Sequence, residues 1–246
     1  MFAKSLPNLF TIGNLFLGFI AIIFVFHGKP DLAAMMVIAA MLTDGLDGRV
    51  ARALNVQSEL GKELDSLSDI VSFGVAPAFI TYVVAFQEIN PPAAAWGITA
   101  IFPICGALRL ARFNVMNSDA RGFFVGLPIP AAGGILSTLA LFHSNVHTAV
   151  LIVSTLVLSF LMVSRMKYPN FKHIGIPRSM LWLLPVLVSA VIALAVINPG
   201  PAAKLVFIPL VLYALYGLKK SVSRRIRRHR ARHSLETELE LEKAAH

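Results

Sequence analysis

The sequence predicts an all-α, polytopic membrane bundle of about eight transmembrane helices with both termini in the cytoplasm. Three observations carry this expectation. Apolar residues make up 57% of the 246-residue chain and charged residues only 14%, a balance outside the usual soluble range. The apolar residues gather in runs of about 20, the length that crosses a ~30 Å hydrocarbon core at a rise of ~1.5 Å per residue. The cations, finally, distribute to one side of those runs.

Clusters of Gly, Pro, Asn and Asp separate the spans, which run Leu9–His27, Leu32–Leu54, Leu60–Gln87, Ala93–Asn114, Leu127–Ser144, Val146–Ser164, Ser179–Ile197 and Pro201–Leu218. The first span follows a lone Lys4 and imitates a signal peptide. Its apolar run is too long for an h-region, however, and no A-x-A-like site precedes Gly28-Lys29-Pro30-Asp31. A retained first helix is expected. Pro128 and Pro130 shape the start of span five. The single Cys105 excludes an intrachain disulfide and reads as a packing residue. His143 and His147 read as ordinary loop residues.

Orientation follows from Lys and Arg. With the N-terminus inside, every one of them lies on the cytoplasmic side except Lys29 and Lys204. A net charge of +9 might point to nucleic acid, but the excess concentrates in Lys219–Arg232, directly after the last apolar run. That position suits a topology anchor that attracts anionic membrane lipids, and no nucleic-acid partner is expected. The chain therefore divides into a membrane domain, 1–218, and a basic juxtamembrane segment with a charged cytoplasmic tail, 219–246.

Carboxylates are the anomaly. Of thirteen acidic residues, Asp44, Asp47, Glu59, Glu63, Asp65 and Asp69 share one window between lipid-embedded spans. Acids near hydrocarbon cost roughly 2.5–3.5 kcal/mol each on insertion scales and mark functional sites by default. Asp44 and Asp47 are three apart, Asp65 and Asp69 four apart, so each pair shares a helix face. The short turn Asn55-Val56-Gln57-Ser58 makes the two helices antiparallel neighbours, and the pairs converge near the cytoplasmic surface. Arg49, Arg52 and Lys62 offset part of the repulsion. One or two hard divalent cations resolve the rest. All-oxygen ligation suits Mg²⁺, Mn²⁺ or Ca²⁺ and disfavours zinc or copper. Asp44-x2-Asp47-Gly48 lacks the alternate-residue pattern of an EF-hand. Mg²⁺ and Mn²⁺ usually keep phosphate oxygens among their ligands, so the window argues for a metal-bound phosphate at a membrane surface. Gly45, Gly48 and Gly61 serve either close backbone approach to a ligand or close helix packing.

The pattern Asp44-x2-Asp47-Gly48-x2-Ala51-Arg52-x8-Gly61-x3-Asp65-x3-Asp69 resembles, without departure, the signature of the CDP-alcohol phosphatidyltransferases. Further segments, LPNLFTIGNLFLGF, ALRLARFN, GLPIPAAGG and SRMKYPNFK, resemble the bacterial, serine-using, integral-membrane branch of that family. The resemblance implies that Asp44, Asp47, Asp65 and Asp69 hold two divalent cations, Mg²⁺ or Mn²⁺ with Ca²⁺ a further candidate, on the diphosphate of CDP-diacylglycerol. It also implies that Asp69 is the general base, and that Asn8, Thr11, Gly48, Arg52, Ser58 and Gly61 contact the nucleotide-lipid. The product would be phosphatidylserine, formed with L-serine as acceptor and CMP released, by a homodimer in the cell (inner) membrane with its site facing the cytoplasm. Glycerol 3-phosphate or inositol phosphate is the alternative acceptor.

Arg109 and Arg112 share a helix face and suit the carboxylate of serine or a phosphate, as do Arg165 and Lys167; membrane anchoring is the competing role for all four. A divalent-cation transporter is the rival from another class, because intramembrane acids also line ion paths. Against it, spans five to eight carry no acid with which to continue a path.

Overall fold

The computed structural model describes residues 2–53, 56, 58–115, 123–144, 146–169, 211–212 and 214–215. Spans seven and eight, except for those last short pieces, and the segment 219–246 lie outside the described residues. Within them the chain is helical. Helix α1 covers Phe2–Phe26, α2 Pro30–Ala53, α3 Glu59–Phe86, α4 Pro92–Val115, α5 Ile129–Ala140 and α6 Thr148–Val163. Each of the first six expected spans thus contains a helix. Three helical stretches, Pro7–Phe26, Glu59–Phe86 and Pro92–Val115, are long and apolar enough to cross a membrane.

Helix α1 shows how composition becomes placement. Pro7, Thr11, Asn14, Gly18, Ala21 and Val25 recur at alternating spacings of four and three and are buried, whereas Leu9, Ile12, Phe16, Phe19, Ile23 and Phe26 are exposed. The small and polar stripe faces protein and the bulky apolar stripe faces outward, the inversion expected where the surrounding solvent is lipid. Gly28, at φ 69°, ends the helix in a two-bond cap: its N–H donates to Val25 O at 3.0 Å, and Lys29 N–H to Phe24 O at 2.9 Å. The cap turns α2 back along α1, and these two helices make the most extensive helix pairing among the described residues.

Helix α3 starts at Ser58, whose Oγ accepts the Gly61 N–H at 3.0 Å, with Glu59 favourable in the first turn. Two wide turns interrupt it, Ile70–Val75 and Tyr82–Phe86. The first begins directly after Asp69, and such turns often stand at functional sites. It seats α3 against two neighbours through hydroxyls and glycines. Ser68 Oγ donates to Thr11 O at 3.0 Å and Ser72 Oγ to Asn14 O at 2.8 Å. A Cβ on Gly18 would stand 2.6 Å from Ser72 Cα, so α1 and α3 touch backbone to backbone only with glycine there. On the other side Gly133 of α5 lies against the backbone of Phe73, where a Cβ would stand 2.9 Å from Phe73 Cα. The core then fills with Phe73, Ile80, Phe102, Leu127, Ile129, Leu136 and Met162.

Two findings depart from the sequence reading. The expected span Leu127–Ser144 contains a helix of only 12 residues, Ile129–Ala140, begun by Pro128 and Pro130 and closed by turns through Leu141, Phe142 and His143. Its axial length is ~18 Å, well short of ~30 Å. Also, the all-α expectation missed a small antiparallel pair, β1 (Phe123–Val125) with β2 (Lys167–Pro169), in register Phe123↔Pro169, Phe124↔Tyr168 and Val125↔Lys167.

Candidate active site

Three helices deliver one cluster. Carboxylate oxygens of Asp44 from α2 and of Asp65 and Asp69 from α3 lie within 4.8 Å of one another. Asp69 is buried, with its carboxyl in hydrogen-bond contact with Asp44 and its charge facing both other aspartates. Arg109, buried on α4, supplies the facing positive charge; its guanidinium lies over the Phe113 ring, 5.6 Å from the centroid. Among the described residues, three carboxyl groups face one guanidinium, so the cluster is acid-rich and cannot ionise fully without repulsion. Each ionised carboxylate pair at that separation repels by roughly 3–4 kcal/mol at an effective dielectric near 20. A hard divalent cation matches both the crowding of acids and the donor set, so the residues present fit the metal that the sequence called for. The Asp47 side chain, the fourth carboxylate, lies outside the described residues, as do the side chains of Arg49 and Arg52.

A second group forms one turn away at the start of α3. A side chain at Gly61 would meet Ser58 Oγ at 3.0 Å and Asn8 Oδ1 at 3.2 Å. Three residues expected at the nucleotide-lipid, Asn8, Ser58 and Gly61, are therefore brought together from two helices. Thr11, one turn further along α1, is buried and its Oγ1 donates to Pro7 O at 3.1 Å. Among the described residues, a Cβ on Gly45 would meet nothing within 4 Å. Gly48 is half-buried on the same helix.

Comparison with known proteins agrees with this arrangement. The CDP-alcohol phosphatidyltransferase family profile matches residues 4–161, which include both carboxylate-bearing helices and Arg109. The chain belongs to the CDP-alcohol phosphatidyltransferase family. It is 38% identical over 220 residues, 86% of this chain and 89% of the relative, to a CDP-diacylglycerol–serine O-phosphatidyltransferase of Helicobacter pylori. A protein of the same name from Bacillus subtilis is 38% identical over 167 residues, covering 68% of this chain and 91% of its own length. An archaetidylserine synthase from Methanothermobacter thermautotrophicus is 36% identical over 178 residues, 70% of this chain and 72% of its own. The chain is accordingly an enzyme of phospholipid biosynthesis in a membrane-bound family that works with divalent metals.

For this family member the two arginines of α4 part company. Arg112 donates Nη1 to Val163 O at 2.7 Å and Nη2 to Val125 O, Met162 O and Ser164 O, each at 3.3 Å. It gathers the last carbonyls of α6, groups with no intrahelical donor, and ties them to β1. Gly126 makes this possible: at φ 82° it packs against Met162 O, and its N–H donates to Met166 O at 2.8 Å. Leu127 N–H adds a bond to Leu161 O at 3.0 Å. Asn114, two residues on, donates Nδ2 to Ser66 Oγ at 3.0 Å beside Asp65. Arg165 is exposed, and the Lys167 side chain lies outside the described residues.

Sequence reasoning missed what ties Arg109 to Asp69 and missed the seam of Ser68 and Ser72. It also passed over Asn14, which continues the polar spacing Asn8, Thr11, Asn14 along an otherwise apolar helix. That spacing of three was a usable signal.

Proposed function

We propose that this enzyme transfers the phosphatidyl group of CDP-diacylglycerol to the hydroxyl of L-serine, giving phosphatidylserine and CMP. The observation that carries the reading is the convergence of Asp44, Asp65, Asp69 and Arg109 in one pocket of a chain 38% identical to serine phosphatidyltransferases.

Asp69 is the general base: it accepts the proton of the serine hydroxyl, and that oxygen forms the new bond to the lipid-side phosphorus. The bond from this phosphorus to the bridging oxygen breaks, and CMP leaves with that oxygen. Two divalent cations, Mg²⁺ or Mn²⁺ with Ca²⁺ also suited to the donor set, would be held by Asp44, Asp47, Asp65 and Asp69 and would neutralise the diphosphate. Asn8, Ser58 and Gly61 form a narrow polar surface for the nucleotide-lipid, joined by Thr11, Gly48 and Arg52. Arg109 takes the carboxylate of serine, for which a guanidinium fork is well shaped. Burial makes Arg109 a stronger candidate for that role than exposed Arg165, and Lys167 remains with Arg165 as a peripheral contact. The enzyme is read as a homodimer of the inner membrane, its site facing the cytoplasm and its basic C-terminal segment on anionic lipids.

The test incubates purified protein with CDP-diacylglycerol, Mn²⁺ or Mg²⁺ and labelled L-serine. Equal amounts of phosphatidylserine and CMP are expected. If neither forms, the reading fails; if CMP appears only with glycerol 3-phosphate or inositol phosphate, the chemistry stands and the acceptor is wrong.

A further inference from the structure

We infer that Asn14 of α1 is an acceptor-binding residue of the same pocket; the inference rests on the serine-transfer reading above. Asn14 is fully buried, and neither its Oδ1 nor its Nδ2 has a hydrogen-bond partner among the described residues. A buried carboxamide left in that state is costly, and native chains keep one chiefly where something else takes its bonds.

Its position says what that is. The carbonyls of Thr11 and Asn14 accept from Ser68 and Ser72, and Asp69 lies between those two donors on α3. In the α1–α2 hairpin, positions equidistant from Gly28 are level along the axis, so Asn14 is level with Leu42, two residues before Asp44. Along the bundle axis Asn14 is thus about two residues, roughly 3 Å, from the level of Asp44, on the side away from the Asn8, Ser58 and Gly61 group. The diphosphate and cations belong with the carboxylates, and the nucleotide-lipid with that outer group. The inner end is left for the small acceptor. A carboxamide both donates and accepts, so it suits a polar zwitterion without adding net charge to a pocket already crowded with carboxylates.

Replacement of Asn14 by near-isosteric leucine, with N14A as a second variant, tests this. Serine KM should rise by about 10- to 100-fold, while KM for CDP-diacylglycerol and the Mn²⁺ requirement stay within about two-fold. The midpoint of thermal unfolding in detergent should not fall, because the substitution removes an unsatisfied polar group rather than a bond. An unchanged serine KM overturns the inference, as does an equal rise for both substrates. A lower midpoint overturns it too, since that marks a structural asparagine. If the wild type turns over glycerol 3-phosphate but not serine, the acceptor reading fails by itself, and Asn14 is then judged by the KM for glycerol 3-phosphate.

Discussion

The cytoplasmic end of α4 holds two arginines one turn apart, and the two regions they serve are built differently. Arg109 looks into the carboxylate pocket, where it faces Asp69 among groups that repel one another. Arg112 looks into backbone, where it joins the end of α6 to β1 through four carbonyls. Among the described residues the first region crowds like charges, whereas the second is tied by hydrogen bonds. Equal spacing on one helix face thus yields one side chain facing the carboxylates and another that fixes the backbone beside them. The scaffold beside the carboxylate cluster carries its own hydrogen bonds, so the cluster does not have to supply them.

The contrast breaks most severely at Asp69. In D69N, turnover should fall by about 10²- to 10⁴-fold, the range of a lost general base, while Mn²⁺-dependent binding of CDP-diacylglycerol largely survives; near-normal turnover would remove Asp69 from the base role. Next in size is R109M. Losing charge-assisted bonds to a substrate carboxylate is worth about 1.5–3 kcal/mol, so serine KM should rise roughly 10- to 150-fold with a smaller change in thermal midpoint. A KM that does not move would return Arg109 to a purely electrostatic role beside Asp69.

R112M should give the converse pattern. Orphaned carbonyls at the α6 end cost about 1–3 kcal/mol, read as a lower unfolding midpoint in detergent, and kcat/KM should drop evenly for both substrates. R112K should fare little better, because an ammonium cannot reproduce the fork over four acceptors. Selective loss of serine affinity in R112M would erase the distinction between the two arginines. The smallest effect is expected at the α1–α3 seam. S72A removes one buried hydroxyl-to-carbonyl bond, worth about 0.6 kcal/mol on average inside membrane bundles, and stability in detergent should fall by that order with both KM values unchanged.

Much of this architecture was legible in the sequence because it depends on local rules. Apolar run length placed six helices, and Gly28 ended α1 where the run broke. The short turn at Asn55–Ser58 and the spacings of three and four together implied that Asp44, Asp47, Asp65 and Asp69 converge, and the described side chains of Asp44, Asp65 and Asp69 do. The β1–β2 pair was not legible, since Phe123–Val125 merges with the apolar run that continues into span five and three residues show no usable alternation. The shortness of α5 was hidden for the same reason: composition counts apolar residues without saying which are helical.

What the sequence by itself determined is therefore the class of chemistry. Carboxylates in a hydrocarbon setting, at spacings of three and four on neighbouring helices, repel unless a cation joins them, and no tertiary detail is needed to reach that point. What only the tertiary structure decided is the surroundings of residues of like type. Arg109 and Arg112 differ by whether α3 or the α6 terminus lies opposite, and Asn14 differs from Asn8 by depth along a seam closed by Ser68, Ser72 and Gly18. Those partners lie far away in sequence, and their backbone carbonyls carry no sequence signal, so packing alone selects which polar side chain is tied into the scaffold.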